Sequence, residues 1–497
     1  MDLATVQKYY IIANNELDYF RELMDKAYLN ITGFKNYSYS QMPLIAKDEK
    51  LFVYNVEPNF MLKKLVNIII SLLMPQGINF ADIVAYPDDN KKLNDWKDDT
   101  LVPKVFQYIN NSNFYQVLPT CLFNLTISTG GYYMCWKNDN IYFEPLDMSK
   151  VSFLQDDSGR ISYVFRKLGI FNKEKQLLKF PHLADKFRES VTLLESIVPY
   201  ENQYIYRLTD EGFENVYEEI IQPINPFVIF RWDVRPTENR GRGIALDLLP
   251  EICQINDMAR QFQEAIDLAI MPPLVSNADL DNVILTPRKI LKLANGETIT
   301  PINTGINLPF SWQTIEARNA AMARNLYIDE LEQIGQSGQL TATEVNARMQ
   351  IANRNFVGYT SRNQSELLGP TLTNVIYFLI QYKVVDDPQI KFPNSKIKYG
   401  FKYNSPSLKA QGYQEIERLL QYTQTTAQIF GQVGQQAINS SLNVGEIPAW
   451  IGERLSIPSN LLATPDQFKK IMAQISQQQL ASANPALGQA PQNVGIL

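Results

Sequence analysis

One stretch decides how the rest of the chain must be arranged, namely residues 231–276, RWDVRPTENRGRGIALDLLPEICQINDMARQFQEAIDLAIMPPLVS. An apolar run ends at Arg231, a glycine-rich elbow (240–243) follows, and a helical pattern then continues to the proline pair at 272–273. Apolar residues recur at steps of three and four, which predicts one continuous helix over 244–271 with a single apolar face. At 1.5 Å per residue this helix would be about 40 Å long, so it would need packing partners along its length.

The composition fits several packed domains and argues against a protein that binds nucleic acid tightly. The chain has 497 residues, 45% of them hydrophobic, and its formal net charge is −6. Proteins that hold DNA firmly neutralise phosphates with clustered Lys and Arg, which this balance does not supply. Cys121, Cys135 and Cys253 are far apart and odd in number, so we expect a reducing compartment and neither a disulfide framework nor a cysteine-rich metal site.

No targeting or membrane-spanning segment is expected. The first residues, MDLATVQKYY, lack the basic n-region and the apolar h-region of a signal peptide. The most apolar run, 65–74, is much shorter than the roughly 20 residues that cross a bilayer. We therefore interpret this run as a buried core helix.

The chain before residue 236 mixes helical and strand patterns. Helical periodicity covers 3–28, 59–74, 101–111 and 114–128. Alternating patterns around polar turns predict three antiparallel hairpins, namely 132–136 with 141–144, 151–154 with 161–165, and 203–208 with 216–220. Helices combined with antiparallel pairs indicate an α+β fold, which over the whole chain is predominantly α-helical.

The pattern changes twice after the long helix. Residues 274–310 hold short extended stretches broken by prolines and by an Asn-Gly pair, which predicts a small β-rich insert. A second helix is expected to begin at Ser311, as its N-cap, and to end near residue 334. Two long helices would therefore bracket a compact insert.

A polar loop with two glycines, 335–340, follows the second helix. The capping box TATE at 341–344 then begins a third long helix, which is expected to kink at 369–370 because of its Gly-Pro pair. From 407 onward the chain is helical, poor in charge and rich in Gln, and the segment 477–497 is expected to be a loose tail.

Residues that would support catalysis or metal binding are scarce. His182 is the only histidine, and no G-x-x-x-x-G-K-[ST] motif occurs. The elbow at 239–243 could cradle a phosphate, but we favour a simple strand-to-helix elbow in which Arg240 and Arg242 pair with an acidic partner face. Acidic pairs such as 98–99 lie in polar turns or at helix ends, where solvated charge explains them. We therefore predict no catalytic residue, no metal ligand and no cofactor.

The order of these elements resembles that of the portal, or head-to-tail connector, proteins of tailed bacteriophages, and most closely the short-tailed (podovirus) type. That order is a long helix, a β-rich insert, a returning helix, a glycine-containing loop and a long kinked helix. The matching segments, in chain order, are LVNIIISLLMPQGINF (65–80), NSNFYQVLPTCLFNLTISTGGYY (111–133), 241–271, QSGQLTATE (336–344) and RLSIPSNLLATPDQFKKIM (454–472).

The resemblance implies a portal-type fold with an α/β wing, a two-helix stem, a small β-rich clip and a helical crown. The implied regions are the first part of the wing (1–243), stem helix 1 (244–271), the clip (272–310), stem helix 2 (311–334), the tunnel loop (335–340), the second part of the wing (341–405), the crown (406–476) and a flexible tail (477–497).

The resemblance also implies a homo-oligomeric ring, usually of twelve copies, at a unique capsid vertex of the virion. Such a ring is a conduit for DNA packaging and ejection. The implied partners are the major capsid and scaffolding proteins, the terminase, the tail adaptor and nozzle proteins, and double-stranded DNA that passes non-specifically, but no membrane. Assembly would take place in the host cytoplasm.

Three groups of residues are the site candidates under this resemblance. The tunnel loop facing DNA would consist of Gly335, Gln336, Ser337, Gly338, Gln339 and Leu340. The clip would contact the terminase or the tail through Arg288, Lys289 and Lys292, for which a solvated loop is the alternative. An acidic channel wall, which repels DNA weakly if it faces inward, would consist of Asp247, Glu251, Asp257 and Glu264.

Two other functions stay open from the sequence. A tail protein or an internal scaffold protein would also form a ring. A metal-dependent packaging enzyme would have to use the acidic pairs, and the absence of a nucleotide-binding motif argues against a packaging motor.

Overall fold

The fold combines α-helices with antiparallel sheets, as the α+β prediction required. The computed structural model describes residues 2–33, 53–77, 79–86, 93, 96–172, 190–272, 274–276, 296, 298–301, 308–326, 328, 359, 361–387, 398–403, 406–431, 441–443 and 446–454. Over these ranges, no helix is both long enough and apolar enough to cross a membrane.

The helices are α1 (Leu3–Thr32), α2 (Glu57–Leu73), α3 (Val102–Asn111), α4 (Phe114–Ile127), α5 (Ile244–Asp247), α6 (Leu249–Ile270), α7 (Leu308–Asn325), α8 (Gly369–Gln381), α9 (Pro406–Phe430) and α10 (Ile447–Arg454). One turn of π-helix (Lys97–Leu101) precedes α3 and another (Gln364–Leu368) precedes α8. Pro103 and Pro370 are each the second residue after the end of a π-turn. Because proline lacks an N–H and its ring crowds the carbonyl four residues earlier, the backbone widens there.

The strands are β1 (Ala81–Tyr86), β2 (Thr129–Lys137), β3 (Asn140–Pro145), β4 (Val151–Gln155), β5 (Ile161–Asn172), β6 (Ser190–Tyr200), β7 (Gln203–Asp210), β8 (Val216–Gln222), β9 (Phe227–Arg231), β10 (Leu274–Ser276), β11 (Ile299–Pro301) and β12 (Lys398–Tyr403). They form a five-stranded sheet in the order β4-β5-β6-β7-β8, a three-stranded sheet β3-β2-β9, and the pairs β1-β12 and β10-β11.

Both faces of the five-stranded sheet are covered by apolar side chains. On one face the buried cluster contains Leu146, Met148, Val151, Phe153, Val164, Leu193, Ile197, Tyr206, Leu208, Phe227 and Ile229. On the other face, α1 contributes to a cluster of Val6, Tyr10, Ala13, Leu154, Phe165, Leu194, Val198, Ile205 and Phe213. The sheet is therefore the middle layer of its region, between α1 and the three-stranded sheet.

The three predicted hairpins are confirmed. Residue pairs run from Tyr132↔Pro145 to Lys137↔Asn140 in β2-β3, and β4-β5 and β7-β8 also pair in antiparallel register. The central strand β6 was not predicted. Its adjacent residues Leu193 and Leu194 are buried on opposite faces of the sheet. Because the strand has no polar face, its sequence shows no alternation of apolar and polar residues that would predict it.

Two predictions about the long helices were wrong. The helix predicted over 244–271 is interrupted at Leu248, which separates α5 from α6, because Pro250 in the first turn of α6 cannot continue a preceding helix. Helix α6 is 22 residues long, or about 33 Å. Ser311 is not an N-cap, since α7 already begins at Leu308 with Pro309 in its first turn. The predicted end of this helix near residue 334 lies outside the described residues.

The chain divides into two compact units. The larger consists of Met1–Ile78, Ile83–Ser337 and Asn355–Phe401, and it contains both larger sheets together with α1 to α8. The smaller consists of Asn79–Asp82, Gly338–Arg354 and Lys402–Leu497, and its described helices are α9 and α10.

Candidate functional site

Helices α6 and α7 form an antiparallel hairpin. The Phe262 and Trp312 rings lie 5.6 Å apart between centroids, and the Arg318 guanidinium donates a hydrogen bond of 3.0 Å to the Gln254 side chain. Residue numbers rise along α6 as they fall along α7, which is what an antiparallel pair requires. The predicted arrangement of a long helix, an insert and a returning helix is therefore present in the larger unit.

Polar and apolar contacts fix the base of this hairpin. Ile252 and Ile255 of α6 are buried. The side-chain oxygen of Asn256 accepts hydrogen bonds from the backbone N–H groups of Tyr54 (2.7 Å) and Asn55 (3.2 Å). The Asn55 side chain in turn donates to Asn319 of α7 at 2.9 Å. The segment before α2 therefore ties the two hairpin helices together at their base.

The other end of the hairpin presents apolar side chains to solvent. The large exposed residues there are Leu268, Ile270, Met271, Val275, Phe310 and Trp312. Strands β10 and β11 pair at the same end, with Leu274 opposite Pro301 and Ser276 opposite Ile299. A two-stranded sheet is marginal alone and a contiguous apolar patch marks an interaction site, so this end is suited to contact another protein surface.

The four acidic wall candidates are only partly brought together. Asp257 and Glu264 lie seven residues apart on one exposed stripe of α6, with Arg260 between them. Glu251 is turned about 120° from Asp257 at 100° per residue, so it does not lie on that stripe. Asp247 belongs to the separate helix α5, and partial burial raises the pKa of its carboxyl group.

Arg260 reduces the net negative charge of this stripe. Its guanidinium lies 3.1 Å from the Glu264 carboxylate and 4.0 Å from that of Asp257. Both acids are more than half exposed, so these surface pairs add little to stability. The net charge of this stretch is consequently smaller than the carboxylates alone indicate.

The glycine-rich elbow is paired within the chain, which corrects the prediction for Arg240 and Arg242. The Glu16 carboxylate of α1 accepts hydrogen bonds from the backbone N–H groups of Asn239 (2.7 Å) and Arg240 (2.9 Å). The buried Arg240 guanidinium donates to the carbonyl oxygens of Met148 and Val151, and burial lowers the pKa of Arg240. Because a carboxylate already occupies these amides, the elbow is not a phosphate cradle.

Arg242 is also paired with an acid of its own chain. Its guanidinium contacts the Glu238 carboxylate at 2.6 Å and lies over the Phe20 ring. Hydrogen bonds from Arg242 lower the pKa of Glu238. The elbow thus joins α1 to the start of α5 instead of offering arginines to a partner.

A buried ion pair connects β9 to the π-turn before α8. The Arg231 guanidinium lies 2.6 Å from the Glu366 carboxylate, and the Arg231 backbone N–H donates to the same carboxylate at 2.9 Å. Arg231 also donates to the Asn239 carbonyl at 2.8 Å. This contact was not predicted. The sequence signals available were an arginine at a strand end and a glutamate four residues before Pro370.

The remaining candidates lie outside the described residues. They are Gly335, Gln336, Ser337, Gly338, Gln339 and Leu340 of the loop, Arg288, Lys289 and Lys292 of the insert, and His182.

The described parts of the chain contain no evident reaction centre. No group of three or more His, Cys, Asp or Glu side chains among them is arranged to hold a metal ion. A groove of about 430 Å³ between α2 and α4 is lined by Lys63, Val66, Asn67, Pro119, Thr120 and Phe123. These lining residues include no carboxylate, histidine or cysteine, so they do not supply an acid–base pair.

Comparison with known proteins gives one family and several distant structures. No curated protein matches the chain. A chain from the virion of a native gene transfer agent particle is 12% identical, with 81% of this chain and 91% of that chain covered and a TM-score of 0.35. A chain from the neck of an empty gene transfer agent particle, computed with C6 symmetry, is 11% identical, with 80% and 90% covered and a TM-score of 0.33.

The family match covers more than half of the sequence. The model of the bacteriophage head to tail connecting protein matches residues 182–462, a range that contains the elbow, the α6–α7 hairpin and the π-turn before α8. The chain therefore belongs to the bacteriophage head to tail connecting protein family.

Proposed function

We propose that the chain is the portal subunit of a short-tailed phage and acts as a non-enzymatic structural component of the virion. The observation that carries this proposal is the α6–α7 hairpin, which is anchored at its base and apolar at its other end. Such a hairpin gives each copy a stem to pack beside its neighbours. Repeated heterologous contacts of this kind close into a ring when the rotation between copies permits it.

In this proposal, α6 and α7 form the stem and the insert with β10 and β11 forms the clip. Residues 1–243 and 341–405 form the wing, 335–340 the tunnel loop, and 406–476 the crown. The ring, usually of twelve copies, occupies the capsid vertex, where the wing contacts the capsid and scaffolding proteins. The exposed apolar residues at the clip end dock the terminase first and the tail adaptor and nozzle proteins afterwards.

The proposed channel conducts DNA without gripping it. The negative net charge and the acids of α6 repel the phosphate backbone weakly, and Arg260 moderates that repulsion. A short polar loop at 335–340 would approach the backbone without reading bases. Packaging and ejection both need a conduit of this kind, because DNA must slide through it in either direction.

The proposal is tested by the oligomeric state and position of the protein. We expect electron microscopy and native mass measurement of the purified full-length protein to give closed rings with a central channel. Labelled rings should lie at one vertex of assembled particles. A protein that stays monomeric under all assembly conditions would contradict the proposal, and rings found only along the tail would assign a tail function instead.

A further inference from the structure

Helix α9 of the smaller unit is packed along one side only. Successive residues of an α-helix are turned by about 100°, so each side chain of 415–430 can be placed around the helix axis. The least exposed of these side chains fall within an arc of about 100°, namely Glu415, Ile416, Leu419, Thr423 and Thr426. The other side chains of 415–430 are exposed. Helix α10 packs against α9, so this arc is the side that the chain itself covers.

Exposed apolar side chains flank the covered arc at both of its ends. Leu420 lies about 40° beyond one end of the arc and is 55% exposed. Tyr422 lies about 20° beyond the other end and is 45% exposed. The mostly apolar side of α9 is therefore about 160° wide, whereas a helix that packs on one surface needs a stripe of roughly 100°. Such a helix has room for a neighbour on each side, as a ring of copies supplies.

The two flanks of α9 carry opposite charges. Glu417 lies about 60° from Leu420, and we call these two residues the leucine edge. Arg418 lies about 40° from Tyr422, and these two residues are the tyrosine edge. Both charged side chains are exposed, and within the described part of the chain neither has an ion pair or a side-chain hydrogen bond. Glu415, which lies at the covered end of the tyrosine edge, already interacts within the chain.

Parallel α9 helices of two neighbouring copies match when unlike edges meet. Glu417 of one copy and Arg418 of the next then lie at nearly the same height, because adjacent residues differ by about 1.5 Å along a helix. Leu420 and Tyr422 differ by about 3 Å in height and can pack beside this pair. Contact between like edges would bring Glu417 against Glu417 or Arg418 against Arg418, which is unfavourable. Charged residues beside an apolar seam choose partner and orientation in the same way in coiled coils.

We propose that α9 is an interface between copies of this chain. The helices stand parallel and side by side, with the leucine edge of each copy against the tyrosine edge of the next. This contact presupposes the ring of the proposed function, and it is separate from the stem and the clip. It covers the turns at 417–422. Residues 419–440 contain no charged side chain, so Ile429 and Phe430 at the end of α9 lie outside the contact.

The test uses two charge-reversal variants of the full-length protein, Glu417→Arg and Arg418→Glu. Each variant alone places like charges at every contact between copies. We expect the protein concentration at which rings dissociate to rise by about threefold or more at low salt, and to return to the wild-type value at high salt. An equimolar mixture of the two variants should recover wild-type stability, because alternating copies place opposite charges at every contact. Native mass measurement should find both variants in equal numbers in these mixed rings.

Two further variants separate this contact from effects on folding. Glu417→Arg combined with Arg418→Glu exchanges the charges of the two edges and should restore the dissociation concentration. Gln421→Glu adds a charge in the middle of the polar side and should leave that concentration unchanged. If neither single reversal weakens the rings, or if the mixture is no more stable than each variant alone, this contact is wrong although the ring remains. Wild-type protein that forms no rings would overturn this contact together with the proposed function.

Discussion

At Gly243 the backbone of the elbow passes so close to α4 that no side chain fits. A Cβ atom there would lie 2.1 Å from the Thr126 carbonyl oxygen, so Gly243→Ala forces the elbow or the helix to move. We expect the variant to lose about 3 kcal/mol of unfolding free energy, measured by urea denaturation with circular dichroism. As a control, Gly212→Ala meets its nearest side chain at 3.6 Å and should change stability by about 0.5 kcal/mol or less. Equal effects would show that the elbow is not tightly packed.

The elbow illustrates what local sequence predicts and what it does not. The glycines between an apolar run and a helical pattern correctly predicted a strand-to-helix turn. The roles of Arg240 and Arg242 were wrong because Glu16, which binds the elbow amides, lies 223 positions before Asn239. A partner that distant leaves no trace in residue spacing, so arginines that close a buried junction resemble arginines available to a partner.

At the scale of elements, the Arg231–Glu366 pair holds the π-turn before α8 against the end of β9. Glu366→Gln would leave the buried guanidinium without a charged partner, which we expect to cost about 2–3 kcal/mol of unfolding free energy. Glu264→Gln also removes one carboxylate facing an arginine, but that pair is exposed, and the loss should be about 0.5 kcal/mol or less. Urea midpoints at equal protein concentration measure both. If the urea midpoint falls no more for Glu366→Gln than for Glu264→Gln, the Arg231–Glu366 pair does not hold these two elements together.

Element types were predicted better than element boundaries. Helical periodicity located α1, α2, α3 and α4, and period-two alternation located three hairpins, because in each case one face is buried. The interruption at Leu248 and the start of α7 before Ser311 depend on prolines in the first helical turns. A proline is compatible with a first turn and incompatible with a helix interior, so periodicity alone cannot distinguish a break from a continuation.

At the scale of the whole molecule, the apolar end of the α6–α7 hairpin is exposed, and the proposed function makes it a docking surface. Ile270 is 71% exposed and Met271 is 81% exposed at the end of α6. We expect Ile270→Ser combined with Met271→Ser to leave stability and ring formation unchanged. Docking should weaken by about thirtyfold to several hundredfold, since each of the two side chains contributes roughly 1–2 kcal/mol when it is covered. The measurement is the number of filled, tailed particles made when the variant replaces the wild-type protein.

The control for this prediction is a similar pair at the end of another helix. Ile429 is 71% exposed and Phe430 is 55% exposed at the end of α9. Ile429→Ser combined with Phe430→Ser removes comparable exposed apolar surface from the smaller unit and should leave particle numbers near the wild-type level. If the double variant of α6 fails to form rings, its apolar end packs between copies instead of docking a partner. If both double variants reduce particle numbers equally, exposed apolar area in general, and not the clip end, limits assembly.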